Sequence, residues 1–177
     1  MEGTLKKILL LFLVVLVIIF SGCSPENGVI KDEAPVIPQA YTADLLIDYN
    51  GKTSQAKYVQ RSWGDCEIEF TQPSSVDGLK IAYSGTKCTL SFGALSFNAD
   101  LTSLPESNFG KTMIEAFVSV VEDTTIQKVR SGDKWRYNGE TSGQNFVIIQ
   151  SADTGFFESF EVPAYNLKIE FKNIIAQ

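Results

Sequence analysis

The chain has 177 residues, a formal net charge of −6 and no histidine. The acidic balance repels phosphate backbones, so nucleic acid is not an expected partner. Without histidine there are no Ser-His or Cys-His nucleophile pairs and no histidine-based metal motifs, and no other catalytic signature is visible. We therefore expect a protein that is not an enzyme and has no catalytic residues, no metal site and no cofactor.

The N-terminus carries the features of an export signal. Two lysines precede an uninterrupted apolar run, Ile8–Phe20, that is 13 residues long. A membrane-spanning helix needs about 20 apolar residues, whereas this length and the basic flank are typical of a secretory signal peptide. Ser-Gly then leads into Cys23, which resembles the lipobox of bacterial lipoproteins, although Phe20 replaces the usual leucine.

The lipobox resemblance implies that Cys23 carries a thioether-linked diacylglycerol and that the chain is cleaved before it. Two acyl chains anchor a protein stably where one is marginal. The predicted organisation is a signal peptide (1–22), a lipidated cysteine with a flexible, proline-containing tether (23–39), and a folded domain (40–177). The domain would then lie at the outer face of the cytoplasmic membrane, or of another envelope membrane if the cell has one. The alternatives are an uncleaved N-terminal anchor helix and an ordinary secreted protein without a lipid anchor.

From Tyr41 onward the apolar residues recur mostly at every second position, which is the period of a half-buried β-strand. Asn50-Gly51 is a strong hairpin signal between the first two strands. Further turns are marked by glycine, proline, asparagine and aspartate. The pattern predicts strands at about 41–49, 52–61, 65–71, 79–83, 88–92, 95–99, 124–130, 134–140, 145–151, 156–162 and 165–172.

One segment has a helical period instead. Phe109, Met113, Phe117 and Val120 share one face, which predicts a helix over 109–122, after the sixth strand. Short turns favour antiparallel pairing of neighbours in sequence. The predicted fold class is therefore mainly β: one strongly curved antiparallel sheet with one covering helix. A two-sheet sandwich is the second choice, although no long crossover loop supports it.

Several short motifs resemble a known family. They are the hairpin Tyr49-Asn50-Gly51-Lys52, a strand ending in Phe70-x-x-Pro73, a strand that starts at Gly78-Leu79, and Tyr83-x-Gly85 before the next strand. With the surrounding stretches YTADLLIDYNGKTSQAKYV and WGDCEIEFTQPSSVDGLKIAYSGTKCTLSFGALSF, the chain resembles the LolA/LolB-like lipoprotein-carrier superfamily. It is most similar to small lipoproteins of spore-forming anaerobes of the GerS type.

The resemblance implies an unclosed β-barrel whose concave face holds a lipid or another apolar ligand. The implied lining consists of inward-facing residues and one residue of a helical lid: Tyr58, Ile68, Phe70, Ile81, Phe92, Phe97 and Phe117. The same aromatic residues also fit plain core packing. Two functions follow: an anchored lipid-binding protein, or a non-enzymatic scaffold that binds another envelope protein, for example by strand addition at a sheet edge.

Two further groups have plain structural interpretations. Cys66 and Cys88 share the inward phase, but an intervening strand would place their Cα atoms about 10 Å apart, beyond the reach of a disulfide. We therefore expect two buried thiols. Asp65, Glu67 and Glu69 share an outward face, where carboxylates splay along the strand rather than converge on a cation.

Overall fold

The computed structural model describes residues 33–105, 108–123 and 125–177. The predicted signal peptide and Cys23 lie outside the described residues, as does the tether up to residue 32. The described elements, in chain order, are β1 (Tyr41–Tyr49), β2 (Lys52–Ser62), β3 (Asp65–Gln72), β4 (Lys80–Ser84), β5 (Lys87–Phe92), β6 (Leu95–Asp100), α1 (Phe109–Glu122), β7 (Gln127–Ser131), β8 (Lys134–Thr141), β9 (Gln144–Ser151), β10 (Phe157–Val162) and β11 (Leu167–Ala176).

The eleven strands form one sheet in the order β6-β5-β4-β3-β2-β1-β11-β10-β9-β8-β7. All of its pairs are antiparallel. The chain therefore builds two meanders, β1–β6 and β7–β11, and the first and last strands join them side by side. Strands β6 and β7 are the two edges, and α1 lies between them in sequence. The predicted fold class is confirmed, and the sandwich alternative is wrong because all strands belong to one sheet.

The sheet curves around α1. Tyr83 on β4 and Phe157 on β10 are five strand positions apart, which is about 24 Å in a flat sheet. Tyr83 nevertheless touches Gly110 while Phe157 touches Phe117, and these two helix positions are only about 10 Å apart along the axis. The concave side therefore encloses a single core that both meanders share.

The strand boundaries differ from the predicted ones mainly in the second meander. β7 begins at Gln127 rather than near 124, and β11 covers Leu167–Ala176 because a short 3-10 turn, Pro163–Tyr165, occupies the predicted strand start. The helix has the predicted limits. Its first turn is capped by Asn108, whose side-chain oxygen accepts a hydrogen bond from the Lys111 backbone N–H at 2.9 Å.

Candidate ligand-binding site

The N-terminal end of α1 is fixed closely on the first meander. The Tyr83 hydroxyl donates a hydrogen bond to the Asn108 side-chain oxygen at 3.0 Å, so the capping residue also binds the sheet. A Cβ placed on Gly110 would lie 2.1 Å from the Tyr83 oxygen. Phe109 contacts Phe70 edge-on, with ring centroids 6.2 Å apart. Only a glycine lets the helix approach the tyrosine this closely.

Further along the helix, Phe117 fills the concave side above the second meander. Its ring centroid lies 4.7 Å from that of Phe157, 5.8 Å from that of Phe160 and 5.9 Å from that of Phe171. Such tilted and edge-on aromatic contacts are favourable beyond simple burial. Beneath this part of α1 the concave side is occupied by side chains.

The seven predicted lining residues fall into two groups. Five are buried in the shared core: Tyr58, Ile68, Phe70, Ile81 and Phe117. Phe92 and Phe97 lie on the same face of the sheet, but neither α1 nor any other described element covers them. Their side chains are 45% and 64% exposed. That these residues hold a ligand stays a prediction.

The two exposed phenylalanines belong to a larger apolar surface, which we call the apolar wing: Leu90, Phe92, Leu95 and Phe97. Leu90 pairs with Phe97 and Phe92 pairs with Leu95 across the β5–β6 hairpin. Leu90 and Leu95 are 40% and 75% exposed. The wing continues the concave core, because Leu90 also pairs with the buried Ile81 on β4.

Sequence alternation assigned the wing to the inward face, but it did not single out Leu90 or Leu95. Period-2 alternation reports which face a residue occupies and not whether anything covers that face. A usable signal was present in composition: residues 88–99, CTLSFGALSFNA, contain no charged side chain. The edge strand β6 carries a charge only at its last residue, Asp100, so it lacks most of the usual protection against intermolecular pairing.

Two buried glutamines hold the N-terminal segment, residues 33–40, against the domain. Gln60 on β2 donates from Nε2 to the Gln39 carbonyl at 3.0 Å. Gln150 on β9 donates from Nε2 to the Pro35 carbonyl at 3.0 Å and to the Gly155 carbonyl at 2.8 Å. Residues 34–39, which composition alone assigned to the tether, are thus in part bound by the fold.

Each of these glutamines is oriented by a tyrosine. The Tyr58 hydroxyl donates to Gln60 Oε1, and the Tyr137 hydroxyl donates to Gln150 Oε1, both at 2.7 Å. Burial raises the pKa of Tyr58 well above its ordinary value and that of Tyr137 to about 12. Both hydroxyls therefore stay protonated and act as donors. The signal in the sequence was a glutamine at an inward position of an otherwise apolar strand face.

The two inward cysteines are free, buried thiols, as predicted. Cys66 and Cys88 each pair with Tyr83, which lies on the strand between them. Burial raises the pKa of Cys66 to about 12 and also raises that of Cys88. Neither thiol is activated as a nucleophile, because the reactive species is the thiolate.

The outward acidic residues of β3 take part in ion pairs. Arg61 contacts Asp65 and Glu67 at 3.1 and 3.2 Å, and Lys80 contacts Glu67 and Glu69 at 3.5 and 3.1 Å. In the described part of the chain, no three metal-binding side chains come together. Within the same residues, no helix is both long and apolar enough to span a membrane.

The chain is similar in fold to several solved structures. No protein-family model and no curated protein matches it. An uncharacterized conserved protein from Thermus thermophilus shares 9% identity with a TM-score of 0.51, covering 83% of this chain and 82% of that one. A LolA superfamily protein from Nitrosomonas europaea shares 8% identity with a TM-score of 0.43, covering 82% and 90%. A DUF1329 family protein from Desulfovibrio piger shares 16% identity with a TM-score of 0.47, covering 79% and 86%.

At these identities the Thermus structure shows a shared fold alone. Because the TM-scores of the other two are below 0.5, we draw the fold class from the strand order and from the Thermus structure. The unclosed antiparallel sheet implied by the family resemblance is present in the strand order. The closer likeness to lipoproteins of the GerS type stays a prediction.

Proposed function

We propose that this protein is a membrane-anchored extracytoplasmic lipoprotein that binds a lipid or another apolar ligand at the concave face of its sheet, without catalysing a reaction. The observation that carries the proposal is the apolar wing. Four large apolar side chains, 40–75% exposed, form one continuous surface with the buried core. Contiguous exposed apolar surface of this kind marks an interaction site rather than a random surface feature.

The chemistry of the wing favours an apolar ligand. Segment 88–99 offers no charge for an ionic group to pair with. Binding would instead be driven by removal of apolar surface from water at roughly 25 cal/mol per Å². An acyl chain that buries about 200 Å² in total would gain about 5 kcal/mol before the cost of association is subtracted.

The proposed anchor supplies the location. Diacylglycerol on Cys23 would hold the domain beside a lipid bilayer, since the tether between residues 23 and 33 can extend to about 33 Å. Electrostatic attraction to anionic headgroups is not available to a chain of net charge −6. Anchoring and ligand binding thus depend on separate features, the lipobox and the wing.

The alternative is a protein-binding module, and the edge of the sheet favours it specifically. β6 is an edge strand with no charged side chain before Asp100, whereas the other edge, β7, carries Lys128 and Arg130. Natural edge strands use charges to prevent pairing with other chains. An unprotected β6 would suit a partner that adds a strand to the sheet.

Native mass spectrometry of residues 24–177, followed by organic extraction, tests the proposal. We expect a bound lipid, or uptake of an added one, that disappears in a Phe92→Ser/Phe97→Ser variant. Leu46→Ser is the matched control because Leu46 is 37% exposed on a different surface, the outward face of β1. Two results would reject the wing as a ligand site and favour the protein-binding alternative. One is a protein mass without bound lipid and no uptake of added lipid, and the other is equal uptake by the Phe92→Ser/Phe97→Ser and Leu46→Ser variants.

A further inference from the structure

A second apolar surface runs along the C-terminal half of α1. Its apolar lining, which we call its floor, consists of Leu101, Ile114 and Val118, and the turns at Gly64 and Gly85 also line it. The two turns are joined by a hydrogen bond from the Gly85 N–H to the Gly64 carbonyl at 3.1 Å. This open groove shares no residue with the apolar wing.

The rim of the groove is acidic. Glu115, Glu122 and Asp123 line it, and none of its lining residues is lysine or arginine. We call it the acid-rimmed groove. Glu115 is already engaged, because its carboxylate accepts from the Thr141 and Ser142 hydroxyls at 3.2 and 3.1 Å and lies 4.0 Å from the Lys111 ammonium. The negative charge of the rim therefore comes mainly from Glu122 and Asp123. Glu122 and Asp123 are exposed to solvent.

Glu122 and Asp123 lie at the end of the helix where negative charge is unfavourable. The C-terminal end of a helix carries partial negative charge, and lysine or arginine is favoured there. The last turn of α1 contains no basic residue and ends with Glu122 at its final position and Asp123 as its C-cap. Hydrogen bonds from Thr125 to the Asp123 carboxylate, at 2.7 and 2.6 Å, lower the pKa of Asp123 and keep it ionised.

Leu101 and Val118 are partly buried against the core and Ile114 is buried, so the groove offers only part of its apolar side chains to a ligand. Natural proteins keep unfavourable local arrangements, such as this one at the helix end, mainly at functional sites. A positive group from outside would satisfy both carboxylates and the helix end together. An apolar side chain beside that positive group would cover Leu101 and Val118. Anionic lipid headgroups and phosphates would instead be repelled by the same rim.

We propose that the acid-rimmed groove binds a short cationic segment of a partner polypeptide, with an apolar side chain on the floor and lysine or arginine at the rim. The floor and rim extend from Ile114 to Glu122, which is about 12 Å at 1.5 Å per helical residue. An extended peptide covers this distance with about four residues. The inference does not depend on the proposed lipid-binding function, since the two surfaces share no residue. The wing would bind an uncharged apolar group, whereas the groove would bind a cationic one.

The test uses fluorescence anisotropy with the full chain in nonionic detergent and micelles alone as the blank. The probe is a labelled hexapeptide of alternating lysine and leucine. Two control peptides replace lysine by glutamate or leucine by serine. We expect saturable binding of the first peptide alone, weakening as salt increases because exposed charges are screened.

Variants locate the binding to the groove. Glu122→Lys should weaken binding by at least ~10-fold. Asp77→Lys is the matched control, since it makes the same charge change at an exposed turn outside the groove, and it should leave the affinity within ~2-fold. Val118→Thr keeps the side-chain shape while adding a polar group to the floor, and it should also weaken binding.

Absence of saturable binding, equal binding of the glutamate–leucine peptide, or equal effects of Glu122→Lys and Asp77→Lys would overturn the proposal. If the wild-type protein took up no lipid in the mass-spectrometry test but bound the lysine–leucine peptide, only the proposed lipid-binding function would be rejected. The two proposals can therefore fail separately.

Discussion

Replacing Gly110 with alanine tests how closely α1 packs on the sheet. The new methyl carbon would lie 2.1 Å from the Tyr83 oxygen, 2.7 Å from its Cζ and 2.8 Å from its Cε2. Carbon atoms in good contact are about 3.5–4.0 Å apart, so either the helix or the ring must move by more than 1 Å. Such a movement also stretches the hydrogen bond from Tyr83 to Asn108, the residue that caps α1.

The expected magnitude follows from three contributions. Overpacking costs about 1–3 kcal/mol, and loss of the tyrosine–asparagine hydrogen bond costs about 0.5–1.5 kcal/mol. Alanine has a better helix propensity than glycine, which offsets up to about 1 kcal/mol. We therefore expect Gly110→Ala to lower the free energy of unfolding by about 0.5–4.5 kcal/mol.

Urea unfolding followed by circular dichroism measures this difference. Tyr83→Phe, alone and combined with Gly110→Ala, completes a double-mutant cycle, and we expect the two effects to be non-additive because the new methyl group would meet the Tyr83 hydroxyl. If Gly110→Ala were stabilising by the ~1 kcal/mol that helix propensity alone predicts, the close approach would be refuted.

Three further predictions concern the core and the N-terminal segment. Because burial holds the pKa of Cys66 near 12 while an unfolded thiol ionises near ~8.5, its contribution to stability is fully present below about pH 8.5 and is lost as the pH rises towards 12. Urea unfolding from pH 7 to 10.5 should therefore show a shallower decline for Cys66→Ala than for the wild type, and equal slopes would contradict the assignment. Gln150→Ala removes one buried and one partly buried hydrogen bond to carbonyls and leaves the Tyr137 hydroxyl without its acceptor. We therefore expect the free energy of unfolding to fall by about 1–3 kcal/mol and the N-terminal segment to be proteolysed faster. Phe117→Ala should cost about 3–5 kcal/mol in urea unfolding, since three aromatic rings surround the side chain, and a cost below 1 kcal/mol would show that the ring is not packed there.

The hairpins were predictable because their determinants are local. Asn50 and Gly51 both have positive φ, 52° and 73°, as a two-residue turn of the mirror-image type requires. The strand period then follows from one buried face. The helix was equally predictable, because the spacing of the apolar residues changes there from every second residue to the helical period.

The pairing of β1 with β11 was not predictable in the same way. It joins residues such as Leu45 and Phe171, which are separated by most of the domain, and no turn sequence specifies that register. Both strands carry the same alternating pattern as their neighbours, so the pattern fits many partners. The pairing is selected by the shared core instead, because joining the two meanders there lets one helix cover both.

The length of α1 explains why the candidate site lies where it does. Fourteen helical residues extend about 21 Å, whereas eleven strands in a flat sheet would extend about 48 Å from the first to the last. Curvature brings the central strands under the helix, but the two edges remain beyond its reach. At one edge, every residue of β7 is exposed and the strand carries charged side chains, so an uncovered edge costs little there. At the other edge, Cys88 is still buried, but the rest of the apolar inward face of β5 and β6, which is the apolar wing, stays exposed. Both edges are therefore uncovered, but only β7 has the charged side chains that suit an exposed strand, whereas the β5–β6 hairpin exposes apolar ones. This asymmetry is expected if the exposed face of the β5–β6 hairpin binds a partner.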